Sequence, residues 1–174
     1  MSAAIEKAKA IRLLILDVDG VLTSGVIYYG SDGREMKGFH IHDGLGIKLL
    51  QKTGVIVAII SGKNSEAVSR RIKDLNIRHF YLGQEDKLPA YEDLKQRLKI
   101  QDHEIAYMGD DLPDLPLLRR AGLAITVPQA PETIKQHVDY ITKLKAGKGA
   151  VREACEFIME TQDHYQSVIQ SYLI

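Results

Sequence analysis

"ILDVDGVLTSG", residues 15–25, decides how this chain is read. A run of apolar residues ends at Leu16, and two carboxylates, Asp17 and Asp19, follow with only Val18 between them. A continuous apolar run is the pattern of a strand buried on both faces, as in a parallel sheet covered by helices. Such a strand ordinarily gives way to turn residues, and two like charges a few ångströms apart repel. The bland reading is a pair of turn or cap aspartates. The rest of the chain decides between that reading and chemistry.

Further apolar runs lie at Val55–Ile60, Ile105–Met108 and Leu123–Val127, with weaker ones at His79–Leu82 and Val138–Ile141; the first strand is expected over Ile11–Leu16. Between them, residues 64–75, 87–98 and 149–160 carry apolar side chains at intervals of three and four, the spacing of amphipathic helices. Strands alternating with helices predict a doubly wound α/β fold, a Rossmann-like parallel sheet. One piece breaks the rhythm. "GVIYYGSDGREMKGFHIH" has two β-prone segments around the turn residues Gly30–Gly33 and reads as a β-hairpin, a flap over about residues 25–41 placed directly after the two aspartates. No cap domain is expected, and the 174 residues form one domain with a C-terminal helix and tail over 149–174.

Composition narrows the function. Lysine plus arginine and aspartate plus glutamate number 23 each, so no global field recruits nucleic acid or an acidic membrane. No apolar run approaches the roughly 18 residues of a membrane span, and the start, "MSAAIEKAKAIR", lacks an apolar signal core. The single cysteine, Cys155, rules out an internal disulfide and suits a reducing cytoplasm. On its apolar helical stripe it reads as core.

The polar residues gather where such sheets bind ligands, beyond the carboxyl ends of the strands. Asp17 and Asp19 end the first strand, Ser61-Gly62-Lys63 the second, and Gly109-Asp110-Asp111 the strand Ile105–Met108, with Asp114 three residues on. Carboxylates converging there repel unless a cation neutralises them. Oxygen ligands without His or Cys favour Mg²⁺, which keeps waters for a phosphate. The Ser61 hydroxyl and the Lys87 ammonium suit phosphate oxygens and a neighbouring carboxylate. Asp17 then reads as a nucleophile and Asp19 as its acid–base partner, dividing hydrolysis into two displacements through an aspartyl phosphate.

"DVDGVLT", "IISGK", Lys87 and "GDDLPDL" resemble, in that order, the four signature motifs of the haloacid dehalogenase superfamily of phosphatases. The resemblance implies Asp17 as nucleophile, Asp19 as acid/base, Ser61 as phosphate ligand and Lys87 as positioning lysine. It implies Mg²⁺ held by the Asp17 and Asp110 carboxylates and the Asp19 backbone carbonyl, with Asp111 behind them. "DVDGVLTSGVIYY", "FHIHDGLGIKLL", "LGQEDKLPAYEDL" and "AGKGAVREAC" are similar to the capless 3-deoxy-D-manno-octulosonate (KDO) 8-phosphate phosphatase subfamily. That similarity implies a homotetramer whose hairpins close neighbouring sites, and a role in lipopolysaccharide precursor synthesis. A sister branch acting on nine-carbon sialic-acid-type 9-phosphates carries Glu after the glycine of the second motif. It also carries a Lys one helix further on; this chain has Lys63, after Gly62, and Asp74 at those two positions, which favours the eight-carbon substrate. Arg71 stands as a candidate for the sugar carboxylate within one chain or across a subunit boundary.

Rival readings differ at particular residues. A signalling receiver domain shares the doubly wound fold and an acceptor aspartate, but places that aspartate after its third strand. A non-catalytic oligomerisation module does not require the Asp17/Asp19 pair. Asp111 and Asp114 read equally as helix-start acids. His40 and His42 fall on the expected flap as surface or interface residues, and Lys148 reads as a helix-start lysine or a residue facing the site. The tail "DHYQSVIQSYLI" places Tyr165, Val168, Ile169, Tyr172 and Leu173 at helical spacing, an apolar stripe that docks on something.

Overall fold

The computed structural model describes residues 2–173. Its strands are β1 (Leu13–Leu16), β2 (Tyr28–Tyr29), β3 (Glu35–Met36), β4 (Ile56–Ile60), β5 (His79–Tyr81), β6 (Ile105–Met108), β7 (Leu123–Thr126) and β8 (Tyr140–Ile141). Its helices are α1 (Ser2–Ala8), α2 (Ile41–Lys52), α3 (Glu66–Asp74), α4 (Leu88–Leu98), α5 (Leu115–Leu118), α6 (Glu132–Lys135), α7 (Ala150–Thr161) and α8 (Tyr165–Gln170). Six strands form one parallel sheet in the order β5-β4-β1-β6-β7-β8. All four residues of β1, β6 and β7 are buried, which is why their sequences are uninterrupted apolar runs.

The strand order reverses at β1. It pairs with β4 on one side and β6 on the other, so the crevice beyond its carboxyl end is bounded by the ends of all three. With the right-handed crossovers usual for parallel strands, this order puts α2 and α3 on one face of the sheet and α4 and α5, which touch each other, on the other. The last long helix, α7, returns to pack along α2.

One glycine and one acid shape that seam. Gly46 faces Arg152 so closely that a Cβ would lie 2.9 Å from the Arg152 Cα. Asp43, 1 % exposed, accepts the Arg152 backbone N–H at 2.8 Å and so satisfies a free amide in the first turn of α7. Burial raises the Asp43 carboxyl above its ordinary range, against the pull of those α7 amides. The α7 start in turn carries the preceding loop, whose Gly147 N–H donates to the Val21 carbonyl just beyond Asp19.

Several expected boundaries shift. The flap is shorter than residues 25–41, because its paired strands are only two residues each and the chain turns helical at Ile41. His40 is the N-cap of α2, its Nδ1 accepting the His42 N–H, so neither histidine belongs to the flap. The C-terminal region is two helices with Asp163 in the left-handed region between them, φ +59°. The first part of the tail stripe docks on its own chain, while Tyr172 and Leu173 stay exposed. Tyr165, Val168 and Ile169 line a groove with Leu45 and Leu49 of α2, and the Tyr165 hydroxyl donates to Glu156 at 2.6 Å. Cys155 is fully buried, as its stripe implies.

Replacing Gly46 by alanine tests the seam. Alanine gains about 1 kcal/mol of helix propensity, whereas forcing a methyl into a closed interface costs about 1–3 kcal/mol. The contact dominates, so G46A is expected to lower the midpoint of urea unfolding; an unchanged or higher midpoint would show that α7 yields freely.

Candidate active site

Four loops, each leaving the carboxyl end of a strand or entering a helix, deliver the site. Asp17 directly follows β1, its N–H donating to the Met108 carbonyl at 3.0 Å, so the β1–β6 ladder fixes its backbone. Ser61 directly follows β4 and is held by both of its backbone groups, to the Tyr81 carbonyl and from the Gln84 N–H. Lys87 is the residue before α4, where an ammonium gains nothing from the helix dipole. Asp110 and Asp111 follow β6, with Asp114 at the junction of a short 3₁₀ turn and α5.

Lys87 and Asp114 organise the floor. Lys87 Nζ lies 2.8 Å from Asp17 Oδ1 and 2.6 Å from Asp114 Oδ1, and all three side chains are nearly sealed from solvent. Asp114 Oδ1 also accepts the buried Tyr107 hydroxyl at 2.5 Å. Its Oδ2 accepts the backbone N–H groups of Asp110 at 2.9 Å and Asp111 at 3.2 Å. Four donors occupy one carboxylate, and the Asp110 loop is thereby pinned beside Asp17. Gly109 is required there, since a Cβ would stand 2.5 Å from the Asp114 carboxyl group. Gly20 is required too: its φ is +89°, and a Cβ would overlap the Asp110 carboxylate.

The electrostatics follow from this crowding. Burial, then the Asp114 charge, push Asp17 well above the ordinary carboxylate range, with Lys87 opposing them. Burial and the charges of Asp17, Asp114 and Asp111 push Asp110 up to about 7. Lys87 is raised: burial works against its charge, but Asp17 and Asp114 outweigh it. Ligand oxygens of Asp17, Asp110 and Asp114 lie within 4.8 Å of one another. Asp114 is saturated by its donors, so the oxygens left to face a cation are those of Asp17 and Asp110. An all-oxygen set with excess negative charge fits Mg²⁺.

A cavity of about 430 Å³ opens over this floor, lined by Asp17, Asp19, Ser61, Gly62, Lys63, Lys87 and Asp110 among others. Every residue expected to contribute to catalysis or metal binding reaches it. Arg71 does not: its Nη2 donates to the His40 carbonyl at 3.1 Å and its guanidinium stands over the Phe39 ring. Arg71, the expected partner of the sugar carboxylate, therefore does not line this cavity. Lys148 is exposed and lies outside the cavity lining. Asp114 is a buried charge partner rather than a surface helix-start acid.

Two contributors had gone unread in the sequence. Tyr107 places a hydroxyl inside an apolar strand, and a buried phenol calls for a partner. Lys37, at the end of the hairpin, sets its Nζ 2.5 and 2.6 Å from the two oxygens of Asp19. Strand alternation was the available signal, because Glu35 and Lys37 fall on one face and Met36 on the other.

The description of the haloacid dehalogenase-like hydrolases matches residues 83–154. The chain is 44 % identical over 159 residues to the 3-deoxy-D-manno-octulosonate 8-phosphate phosphatase of Yersinia pestis, covering 91 % of this chain and 85 % of the relative. It is equally similar to the Escherichia coli K12 phosphatase of that name, 44 % over 158 residues, covering 91 % and 84 %. The crystal structure of the Moraxella catarrhalis phosphatase, in complex with magnesium, phosphate and KDO, superposes with a TM-score of 0.97 at 45 % identity, covering 99 % of both chains. A cobalt-bound Haemophilus influenzae phosphatase superposes at 0.87 and 41 % identity, covering 90 % of this chain and 92 % of the other.

Repulsion at the floor makes a stability prediction. At pH 8, Mg²⁺ is expected to raise the melting temperature of the wild type by several degrees, since a ligand bound only to the native state stabilises it by mass action. Asp110→Asn is expected to melt higher than wild type without metal and to lose most of the Mg²⁺ response. A full Mg²⁺ shift in that variant would remove Asp110 from the metal site.

Proposed function

Because the chain belongs to the 3-deoxy-D-manno-octulosonate 8-phosphate phosphatase family of the haloacid dehalogenase-like hydrolases, we propose that it hydrolyses that phosphate ester to the sugar acid and inorganic phosphate. The observation that carries the reading is the buried Asp17–Lys87–Asp114 cluster beneath a cavity also lined by Asp19 and Ser61.

When bound, Mg²⁺ held by the Asp17 and Asp110 carboxylates and the Asp19 carbonyl supplies positive charge to the phosphate oxygens. Ser61 and the Lys87 ammonium orient and neutralise the transferring phosphoryl group, the main demand of this chemistry. In the first displacement an Asp17 oxygen bonds to phosphorus as the bond to the sugar oxygen breaks, and protonated Asp19 gives that oxygen its proton. In the second, water bonds to phosphorus and passes a proton to Asp19 as the Asp17–phosphorus bond breaks. Phosphate leaves, and both aspartates return to their starting states.

Lys63, exposed at the cavity rim beside Gly62, is suited to the carboxylate end of the sugar acid. The rest of the reading concerns context. The 174 residues act as one hydrolase domain. Copies assemble as a homotetramer through the hairpin, where Val26, Tyr28, Tyr29 and Met36 are each at least half exposed, and neighbours complete each site. The enzyme works in the cytoplasm, supplying the eight-carbon acid for lipopolysaccharide precursors. A receiver-domain reading is disfavoured because Asp17 follows β1, and because Asp19 would shorten the life of a phospho-aspartate.

The test is phosphate release with Mg²⁺ from KDO 8-phosphate, a sialic acid 9-phosphate and an aryl phosphate. The expected result is a kcat/KM preference of at least about tenfold for the eight-carbon ester, abolished by Asp17→Asn at unchanged melting temperature. Lys63→Ala should raise KM for the sugar acid more than for the aryl phosphate. Flat activity across the panel would discard the substrate, and activity retained by Asp17→Asn would discard the nucleophile.

A further inference from the structure

The hairpin reaches the site through one side chain. Lys37 follows β3 and sets its Nζ within 2.6 Å of both Asp19 oxygens, with Glu35 Oε1 3.5 Å away. Its side chain is fully covered, although its neighbour Met36 is 55 % exposed. Glu35 is itself anchored at 2.8 Å by the Ser65 hydroxyl, just before α3 and a few residues beyond Ser61–Lys63. A polar chain from Asp19 through Lys37 and Glu35 to Ser65 thus ties the loop after β1 to the loop after β4.

Covering an ammonium costs several kcal/mol unless it is paired. A hairpin with only two residue pairs is marginal on its own, so the pair also ties it to the sheet. Asp19, a quarter exposed on an open loop, does need a partner to stay in one rotamer. Both proton transfers of the proposed reaction require that carboxylate in a fixed orientation.

We propose that Lys37 is a positioning residue: it fixes the rotamer of the Asp19 side chain, bonding to the one unprotonated oxygen when Asp19 carries the proton for the leaving oxygen, which makes the hairpin part of the acid–base apparatus. This rests on the phosphatase reading above. Lys37 acts through Asp19 and need not touch the substrate.

Leaving-group dependence distinguishes this role from a strut. kcat/KM reports the first displacement, in which a sugar alkoxide needs a proton and a nitrophenolate does not. Lys37→Met is expected to lower kcat/KM for KDO 8-phosphate by about 100-fold, at least about tenfold more than for p-nitrophenyl phosphate. Lys37→Arg should recover a large part of the lost rate, and both variants should keep the wild-type melting temperature in Mg²⁺. Equal losses on the two substrates, no loss, or no recovery by arginine would each overturn the assignment. If the wild type does not hydrolyse KDO 8-phosphate, the substrate reading fails on that result alone. The same ratio is then read against any simple alkyl phosphate that the wild type does hydrolyse.

Discussion

The site depends on one constraint, the cost of holding several carboxylates together where little water reaches them. Asp17 and Asp114 are nearly sealed and share one ammonium, Lys87. Removing one member of such a group strands a buried charge, an effect of about 3–5 kcal/mol. The protein satisfies Asp114 completely, with Lys87, Tyr107 and two backbone amides. It leaves Asp17 and Asp110 only partly compensated. A divalent cation would relieve that shortfall, so the repulsion among these carboxylates would favour binding one.

Rigidity and adjustability are divided accordingly. The floor stands on β1, β4 and β6, and glycines at 20 and 109 let carboxyl groups approach the backbone more closely than any side chain permits. Beside the floor stands the hairpin, two short strands with exposed side chains, joined to it by the Lys37–Asp19 pair. Asp17 thus rests on the deepest part of the fold, and Asp19 on contact with the least anchored part.

What was legible in the sequence divides along the same line. Uninterrupted apolar runs gave the buried strands nearly residue by residue, because burial on both faces leaves no ambiguity of period. The residues at their ends, Asp17, Ser61, Lys87 and Asp110, followed from that placement and from the motif order. Asp114 was undecided, since a helix-start acid and a buried charge partner look alike in one dimension. The neighbours of Arg71 were not legible, because helical spacing fixes a face but not what it meets, here Phe39 and the His40 carbonyl. Lys37 was passed over because the charges of a hairpin ordinarily face water. The hairpin itself was drawn too long, as its β-prone residues continue past Met36 into the cap of α2.

The position of β1 has a consequence for folding. Both of its partners lie far along the chain, β4 after a hairpin and a helix and β6 after two further crossovers. Parallel pairings of this kind close large loops before they return any stabilisation, and they form slowly. Asp17 and Asp110 meet only after β6 has docked on the far side of β1, by which time β4 and β5 have already been synthesised. No fragment ending before β6 brings Asp110 and Asp114 beside Asp17, so the carboxylate cluster forms only once the sheet has closed around β1.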